Sequence, residues 1–314
     1  MSDTEAGAPA LAPNVVRVGL LGAAGISQLT WHSIHAAGHR VTYVGCRSAE
    51  RGAAFVAEMA AALALPDEAL PRVGSYEDVV TAAEVDLVYI PLPVTARDAW
   101  VRACVAHKKH VVGEKPPATS AELLREWVEA LDARRLLYMD GTMFSHGERI
   151  EKVASTLQQL GGAVKHVTAT MSFNPPASFF SEDIRCDPAL EPQGALGDLG
   201  WYCIRAILHV MGDGVMPAEV SGRILQSNAR GAILAFSGEM VFHQPPADGG
   251  DSGVALAQLY CAFGVATQCR LHVATTTGAV QLNDFAHPIA AAKGAAWRTV
   301  HVHGGVEHHT HFQN

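Results

Sequence analysis

Residues Val16 to Ser27 read VRVGLLGAAGIS: a short apolar run, a glycine-rich turn, and the opening of an amphipathic stretch. That is the local grammar of a strand feeding a helix in a dinucleotide-binding βαβ unit. Against the strict G-x-G-x-x-G fingerprint the frame falls on Gly22, Ala24 and Ser27, with Gly25 between the last two. Only the first glycine is kept, yet small residues meet the physical need. Gly22 permits the tight turn, Ala24 lets a pyrophosphate approach the backbone, and a helix opening at about Gly25 and Ile26 turns its unbonded N–H groups on that anion. The same turn would serve any strand-to-helix connection in an α/β protein, and on the motif alone the two readings stand level.

The 314 residues suffice for two domains, each with its own core. With 49% hydrophobic and 17% charged residues, a disordered or fibrous chain is excluded. No run approaches the roughly 20 apolar residues that cross a bilayer, so a soluble protein with no membrane partner is expected. A formal charge of −8 argues against a nucleic-acid or anionic-membrane partner. Cys46, Cys104, Cys186, Cys203, Cys261 and Cys269 lie far apart with no C-x-x-C pair, which fits buried thiols in a reducing compartment and a cytoplasmic location. The leading MSDTEAGAPALAPN carries acids and prolines but no basic region before an apolar core, so residues 1–14 read as a disordered lead.

From 15 to 140, short apolar runs alternate with helical ones, the pattern of a doubly wound parallel sheet. Strands are expected at 15–21, 40–46, 85–91, 110–113 and 136–139, with a weaker one near Val73. Helices are expected at 25–37, 49–62, 76–83, 96–106 and 120–133. Over 141–314 the periodicity changes to an α+β domain. Helices are expected at 148–160 and about 196–211, and strands at 163–173, 218–225, 231–237, 239–243, 254–263, 269–276 and 279–282, enough for one open antiparallel or mixed sheet. The stretch QPPADGGDS, 244–252, reads as a hairpin connection.

A doubly wound sheet places ligands beyond the carboxyl ends of its strands. The second strand ends in Cys46-Arg47-Ser48, a guanidinium and a hydroxyl where an NAD site offers an acid to the ribose, so NADP is the expected cofactor; an exposed loop arginine is the plainer reading. The fourth ends in Pro91-Leu92-Pro93, an extended exit able to floor a nicotinamide pocket, although a proline-rich strand exit is unremarkable alone. The fifth ends in Glu114-Lys115. A partly desolvated Lys115 could donate to a substrate oxygen and ease proton movement; a solvated lysine is the alternative. Farther on, GALGDLGWY (194–202) opens a helix whose i, i+4 spacing puts Asp198 and Tyr202 on one face. An acid near a helix start is often a dipole partner, and a helical tyrosine often core. The terminal His301, His303, His308, His309 and His311 lack the spacing of a metal site, so no metal is expected. His146, near the domain junction, is a candidate substrate contact against a satisfied structural histidine.

Taken in order, GLLGAAGIS, CRS, YIPLP, GEKPPA and GALGDLGWY resemble the glucose-fructose oxidoreductase, inositol dehydrogenase and MocA (Gfo/Idh/MocA) family, over about 16–285. YMDGTMFSH, the DIR of Asp183–Arg185 and GALGDLGWYCIR are similar to its plant and algal branch of NADP-dependent xylose and trans-1,2-dihydrobenzene-1,2-diol dehydrogenases. The resemblance implies an N-terminal Rossmann domain, a C-terminal sheet used for homodimerisation, and hydride transfer on a sugar, polyol or dihydrodiol carbon. It makes Lys115 the lysine of the EKP motif, Asp198 its acidic partner and Tyr202 the proton donor or acceptor, with Arg185 a candidate substrate contact. A tyrosine with a reference pKa of about 10 is a poor base until an adjacent ammonium lowers it. Three departures stand out. Val94 and Arg97 replace the Asn and His common in relatives, so polar contacts to nicotinamide or substrate are expected to be lost. The chain reads as shortened beyond its last strands. The insertion Asn174–Ser181 is expected to expose Phe179 and Phe180 as a lid or partner contact. A catalytically silent NADP-binding sensor or scaffold is therefore the alternative, and transient oxidation without net NADPH formation a third.

Overall fold

The computed structural model describes residues 15–244 and 253–286, together with the backbone of 297–303 and 306–312. The leading residues 1–14 and most of the 244–252 connection lie outside the described residues. The chain divides into two compact units, Met1–Gly141 and Thr142–Asn314.

The first unit is a six-stranded sheet of β1 (Arg17–Leu21), β2 (Arg40–Gly45), β3 (Arg72–Gly74), β4 (Leu87–Ile90), β5 (His110–Gly113) and β6 (Tyr138–Asp140), ordered β3-β2-β1-β4-β5-β6 and parallel throughout. Its helices are α1 (Gly25–Ala36), α2 (Ala49–Leu63), α3 (Tyr76–Thr81), α4 (Asp98–Ala106) and α5 (Ala121–Asp132). Strand alternation makes two cores from one sheet. Val18 and Leu20 pack with Trp31, Phe55 and Met59, while Leu21 packs with Val79, Val101 and Trp127. Ser48, Ser75 and Ser120 cap α2, α3 and α5 through their side chains, and Ser75 forms a capping box with Asp78. Helix α1 has no side-chain cap.

Several boundaries in this unit differ from expectation by a residue or two, β4 for example being Leu87–Ile90 rather than 85–91, and two of the differences have a clear local cause. Helix α4 starts at Asp98 rather than Ala96, because Val94–Ala96 form a separate 3-10 turn. The last strand is Tyr138–Asp140 rather than 136–139: Arg135 is left-handed (φ 59°) and the Leu136 N–H bonds back to the Leu131 carbonyl, so these residues still belong to the exit of α5.

The second unit holds α6 (Glu148–Leu160), β7 (Val164–Phe173), a short α7 (Phe179–Glu182), α8 (Trp201–Met211), then β8 (Glu219–Ser227), β9 (Ile233–Gln244), β10 (Gly253–Phe263), β11 (Gln268–Thr275), β12 (Gly278–Asn283), β13 (Trp297–His303) and β14 (Val306–Phe312). The eight strands run in the order β14-β13-β12-β11-β7-β10-β9-β8; β7 and β10 are parallel, and the other pairs antiparallel. The two strands expected at 231–237 and 239–243 are one strand. Gly238 sits in register with Gly222 and Leu259, and a Cβ at Gly222 would meet the Phe236 ring at 2.4 Å, so the glycines make room for an aromatic ring instead of ending the strand. The histidine-rich tail, to which no structure was assigned, supplies β13 and β14.

The expected helix from about Leu196 is a π-helical turn at Leu196–Gly200 that passes into α8. The expected exposure of Phe179 and Phe180 is also overturned. Phe179 is buried and packs edge-on against Phe173 and Phe263, and Phe180 is half-buried against Phe179 and Gly264. Burying aromatic area against a neighbouring aromatic strand end outweighs holding it in water.

Gly194, which leads into the π turn, has φ +47°, and a Cβ there would lie 2.3 Å from the Ile233 carbonyl oxygen. Gly194→Ala is expected to cost about 2–4 kcal/mol in urea unfolding, because backbone strain and a backbone clash add. At Gly25 a Cβ meets nothing within 4 Å, and Gly25→Ala is expected to change stability by less than about 1 kcal/mol.

Candidate functional site

In the first unit the candidate residues lie along the carboxyl edge of the parallel sheet. Leaving β1, Gly22 takes φ +124°, a conformation only glycine adopts easily, and a side chain there would point toward the Tyr76 hydroxyl and Leu92. Ala24 is extended and precedes the uncapped start of α1. Gly25 and Ile26 open that helix, and Ile26 is exposed. Ser27 is fully buried and its hydroxyl donates to the Gly22 carbonyl at 2.8 Å, so it closes the turn that the third glycine would have packed.

At the end of β2, Arg47 is exposed and Ser48 spends its hydroxyl on the Arg51 N–H as cap of α2. Arg51, which the sequence reading missed, donates through Nη2 to the Ala23 carbonyl at 3.1 Å and so brings a second guanidinium to the glycine turn. A signal for it was available: a cation in the first turn of a helix opposes the macrodipole.

The exits of β4 and β5 are joined by side chains. Tyr89, almost fully buried, donates to Glu114 Oε1 at 2.6 Å; burial first, and the Glu114 charge next, push its phenol well above the usual tyrosine value. The Lys115 N–H donates to Glu114 Oε2 at 3.3 Å, and Tyr138 donates to the Pro117 carbonyl at 3.3 Å. Lys115 is half-buried. Arg97 was expected to mark lost polar contacts. Its side chain lies inside the fold at 2% exposure and donates to the carbonyls of Leu92, Glu114 and Pro116. Pro91, Leu92 and Pro93 form the extended exit of β4 ahead of the 3-10 turn.

In the second unit, the π turn carries Asp198, a buried carboxylate whose Oδ2 accepts from Arg185 Nη1 at 3.2 Å. Arg185 is further held by Asp183 through two hydrogen bonds of 2.8 Å, and its guanidinium lies over the rings of Phe179 and Phe173, 4.8 and 5.8 Å from their centroids. Expected as a substrate contact, Arg185 is thus occupied by two carboxylates. Burial alone would lower the Arg185 guanidinium, but its hydrogen bonds to Asp183 and the Asp198 charge hold it above its usual value. Burial would likewise raise Asp183, and Arg185 overcomes it, leaving that carboxyl below the usual carboxylate range.

One helical turn after Asp198, the Tyr202 hydroxyl donates to Met143 Sδ at 3.7 Å, and its ring packs 6.0 Å from that of Phe144. Trp201 donates to Thr142 Oγ1 at 2.8 Å, tying α8 to the 3-10 turn Met143–His146. His146, on that turn, is exposed. Lys115 belongs to the first unit, and Asp198 and Tyr202 to the second. Among the described residues no group of three His, Cys, Asp or Glu could hold a metal ion, and no helix is long and apolar enough to cross a membrane.

Residues 16–142 match the GFO_IDH_MocA oxidoreductase family, NAD-binding Rossmann fold, and residues 158–281 match the GFO/IDH/MocA C-terminal domain. The chain is 28% identical to a D-xylose 1-dehydrogenase (NADP(+)) of Haloferax volcanii, over 88% of this chain and 78% of that protein. It is also 28% identical to a dTDP-3,4-didehydro-2,6-dideoxy-alpha-D-glucose 3-reductase of Streptomyces antibioticus, over 83% of this chain and 76% of that protein. A 3-ketoreductase from Actinomadura kijaniata, solved with NADP and TDP-benzene, superposes with a TM-score of 0.77 at 22% identity, over 96% of this chain and 85% of that one, and so shares the fold.

Because the Asp183 carboxyl is held below its unfolded value, its stabilisation is complete above the ordinary carboxylate pKa of about 3.9 and is lost as pH falls through the lower folded-state value. Asp183→Asn is expected to cost about 1–3 kcal/mol at pH 7 in denaturant unfolding, with the gap to wild type narrowing below about pH 4.

Proposed function

Because the chain belongs to the Gfo/Idh/MocA oxidoreductase family, we propose that it is an NADP-dependent oxidoreductase acting on the carbinol or carbonyl carbon of a sugar, polyol or dihydrodiol. The observation that carries this reading is the carboxyl edge of the first sheet, where the Gly22 turn, the exposed Arg47 and the half-buried Lys115 are gathered from β1, β2 and β5. The residues fit the cofactor. A glycine at 25 that protein packing does not require, next to amides without a side-chain cap, suits a pyrophosphate. The guanidinium of Arg47, with Ser48 and Arg51 beside it, suits a 2′-phosphate, and no carboxylate ends β2 to repel it. Bound there, NADP would supply a hydride acceptor or donor at its nicotinamide.

The residues of this chain manage the rest. Pro91, Leu92 and Pro93 form a floor that offers few backbone N–H groups and so excludes competing hydrogen bonds. Lys115 donates to the substrate oxygen, Tyr202 takes or returns the hydroxyl proton, and Asp198, fixed by Arg185, orients that exchange. The sugar-directed activities of the two relatives support the substrate class.

The test is a panel of aldoses, polyols and dihydrodiols with NADP⁺, read by NADPH absorbance. Lys115→Met is expected to lower turnover by about 10²-fold or more while NADPH affinity stays within about threefold; turnover near the wild-type rate would remove the assigned role. Cofactor binding without turnover on any panel member would favour a sensor or scaffold. Equal affinity of the wild-type protein for NAD⁺ and NADP⁺ would refute the part given to Arg47.

A further inference from the structure

Beyond Ile90 and Gly113 the β4–β5 ladder has little left to pair with. The last register pair is Ile90 with Gly113, followed by one bond from the Glu114 N–H to the Ile90 carbonyl. Both chains then run into prolines: 91 and 93 after β4, 116 and 117 after β5. None has an N–H, so carbonyls in these exits must find donors elsewhere or lie buried without partners, at a cost in free energy.

Arg97 supplies the donors. Its guanidinium is almost wholly enclosed, with Nε donating to the Leu92 carbonyl at 2.7 Å and Nη1 donating to the carbonyls of Glu114 and Pro116. Those last two residues flank Lys115 on either side. One side chain therefore ties the peptide units around Lys115 to the exit of β4. At 2% exposure it is enclosed by the protein and not presented to a ligand. Five N–H groups in a rigid plane can reach three carbonyls at once; an ammonium brings three donors from a single point.

We propose that Arg97 is a positioning residue for Lys115, setting where that ammonium stands relative to the β4 exit. The inference rests on the reading of Lys115 given above and goes beyond it, since it assigns a function to a residue that touches neither cofactor nor substrate. Misplacement of a reacting group by about 1 Å costs on the order of 10²-fold in rate, and loss of the clamp leaves Lys115 on a proline-rich loop with fewer restraints.

Lys109 is the control. It is buried at 7% exposure and donates at 2.6 Å to each of two carbonyls, Ala82 and Val85, so it does similar structural work away from the candidate site. Arg97→Gln, Arg97→Lys and Lys109→Gln are compared for thermal unfolding, NADPH affinity, kcat and KM. Arg97→Gln is expected to lower kcat about 100-fold with NADPH affinity and substrate KM within about threefold. Arg97→Lys should recover part of that loss, and Lys109→Gln should lower Tm while leaving kcat within about twofold. Equal kcat losses at positions 97 and 109, or none at 97, would overturn the proposal.

A second measurement needs no substrate. Amide hydrogen exchange at Glu114 and Lys115 is expected to rise at least tenfold in Arg97→Lys and to stay at the wild-type rate in Lys109→Gln; unchanged exchange at Glu114 and Lys115 in Arg97→Lys overturns the proposal even if Arg97→Gln does not fold. The two readings fail separately. An active Lys115→Met removes the role of the lysine, whereas an inactive Lys115→Met with normal Arg97 variants removes only the clamp.

Discussion

A parallel ladder satisfies backbone groups only as far as its strands run side by side, and the chemistry assigned to this fold begins where the ladder stops. At the ends of β4 and β5 prolines have removed amide donors, and the carbonyls of Leu92, Glu114, Pro116 and Pro117 are met by Arg97 and Tyr138. Tyr89 and the Lys115 amide close on the Glu114 carboxylate in the same way. Side chains thus take over from backbone, and the cost of a buried unpaired carbonyl holds the loop in one shape.

The second unit solves a related problem with charge. Asp198 is buried on a widened helical turn, and a lone carboxylate there would be driven to its neutral form. Arg185 answers it, and Arg185 is in turn fixed by Asp183 and by two aromatic faces. Removing one member of such a group leaves the others desolvated without their partner, which is why pieces of the network matter more than any single pair distance.

Much of the first unit was legible because β1, β2, β4 and β5 are short apolar runs between turn-forming residues, and because serines precede α2, α3 and α5. Helix α6 was read to the residue for the same reason: its apolar positions keep strict helical period, and glycines bound it at 147 and 161. What was not legible depended on partners distant in sequence. Gly238 looks like a break until Phe236 is seen filling the space over Gly222. Phe179 and Phe180 look exposed until Phe173 and Phe263 are placed beside them. In β13 and β14 the many histidines mask a strand pattern that only pairing with β12 makes visible. At the candidate site the residue types at strand ends were readable, and Arg51 could have been read from its place in the first turn of α2, whereas the part played by Arg97 could not, since its work is to bond carbonyls, which leaves no mark in a pattern of polarity.

The central strand β7 has its neighbours far downstream: His166 lies opposite Leu256 on one side and Ala274 on the other. During synthesis β7 therefore emerges from the ribosome long before either flanking strand exists. Its backbone edges must wait through the translation of α8, β8 and β9, whereas its buried face of Val167, Ala169 and Met171 shares a core with Cys203, Ala206 and Ile207 of α8. Residues 15–141, whose sheet closes once β6 has been made, can be complete well before that. A nascent chain can therefore hold a completed first unit followed by a strand that has no strand partner yet, the form in which a chaperone would meet it.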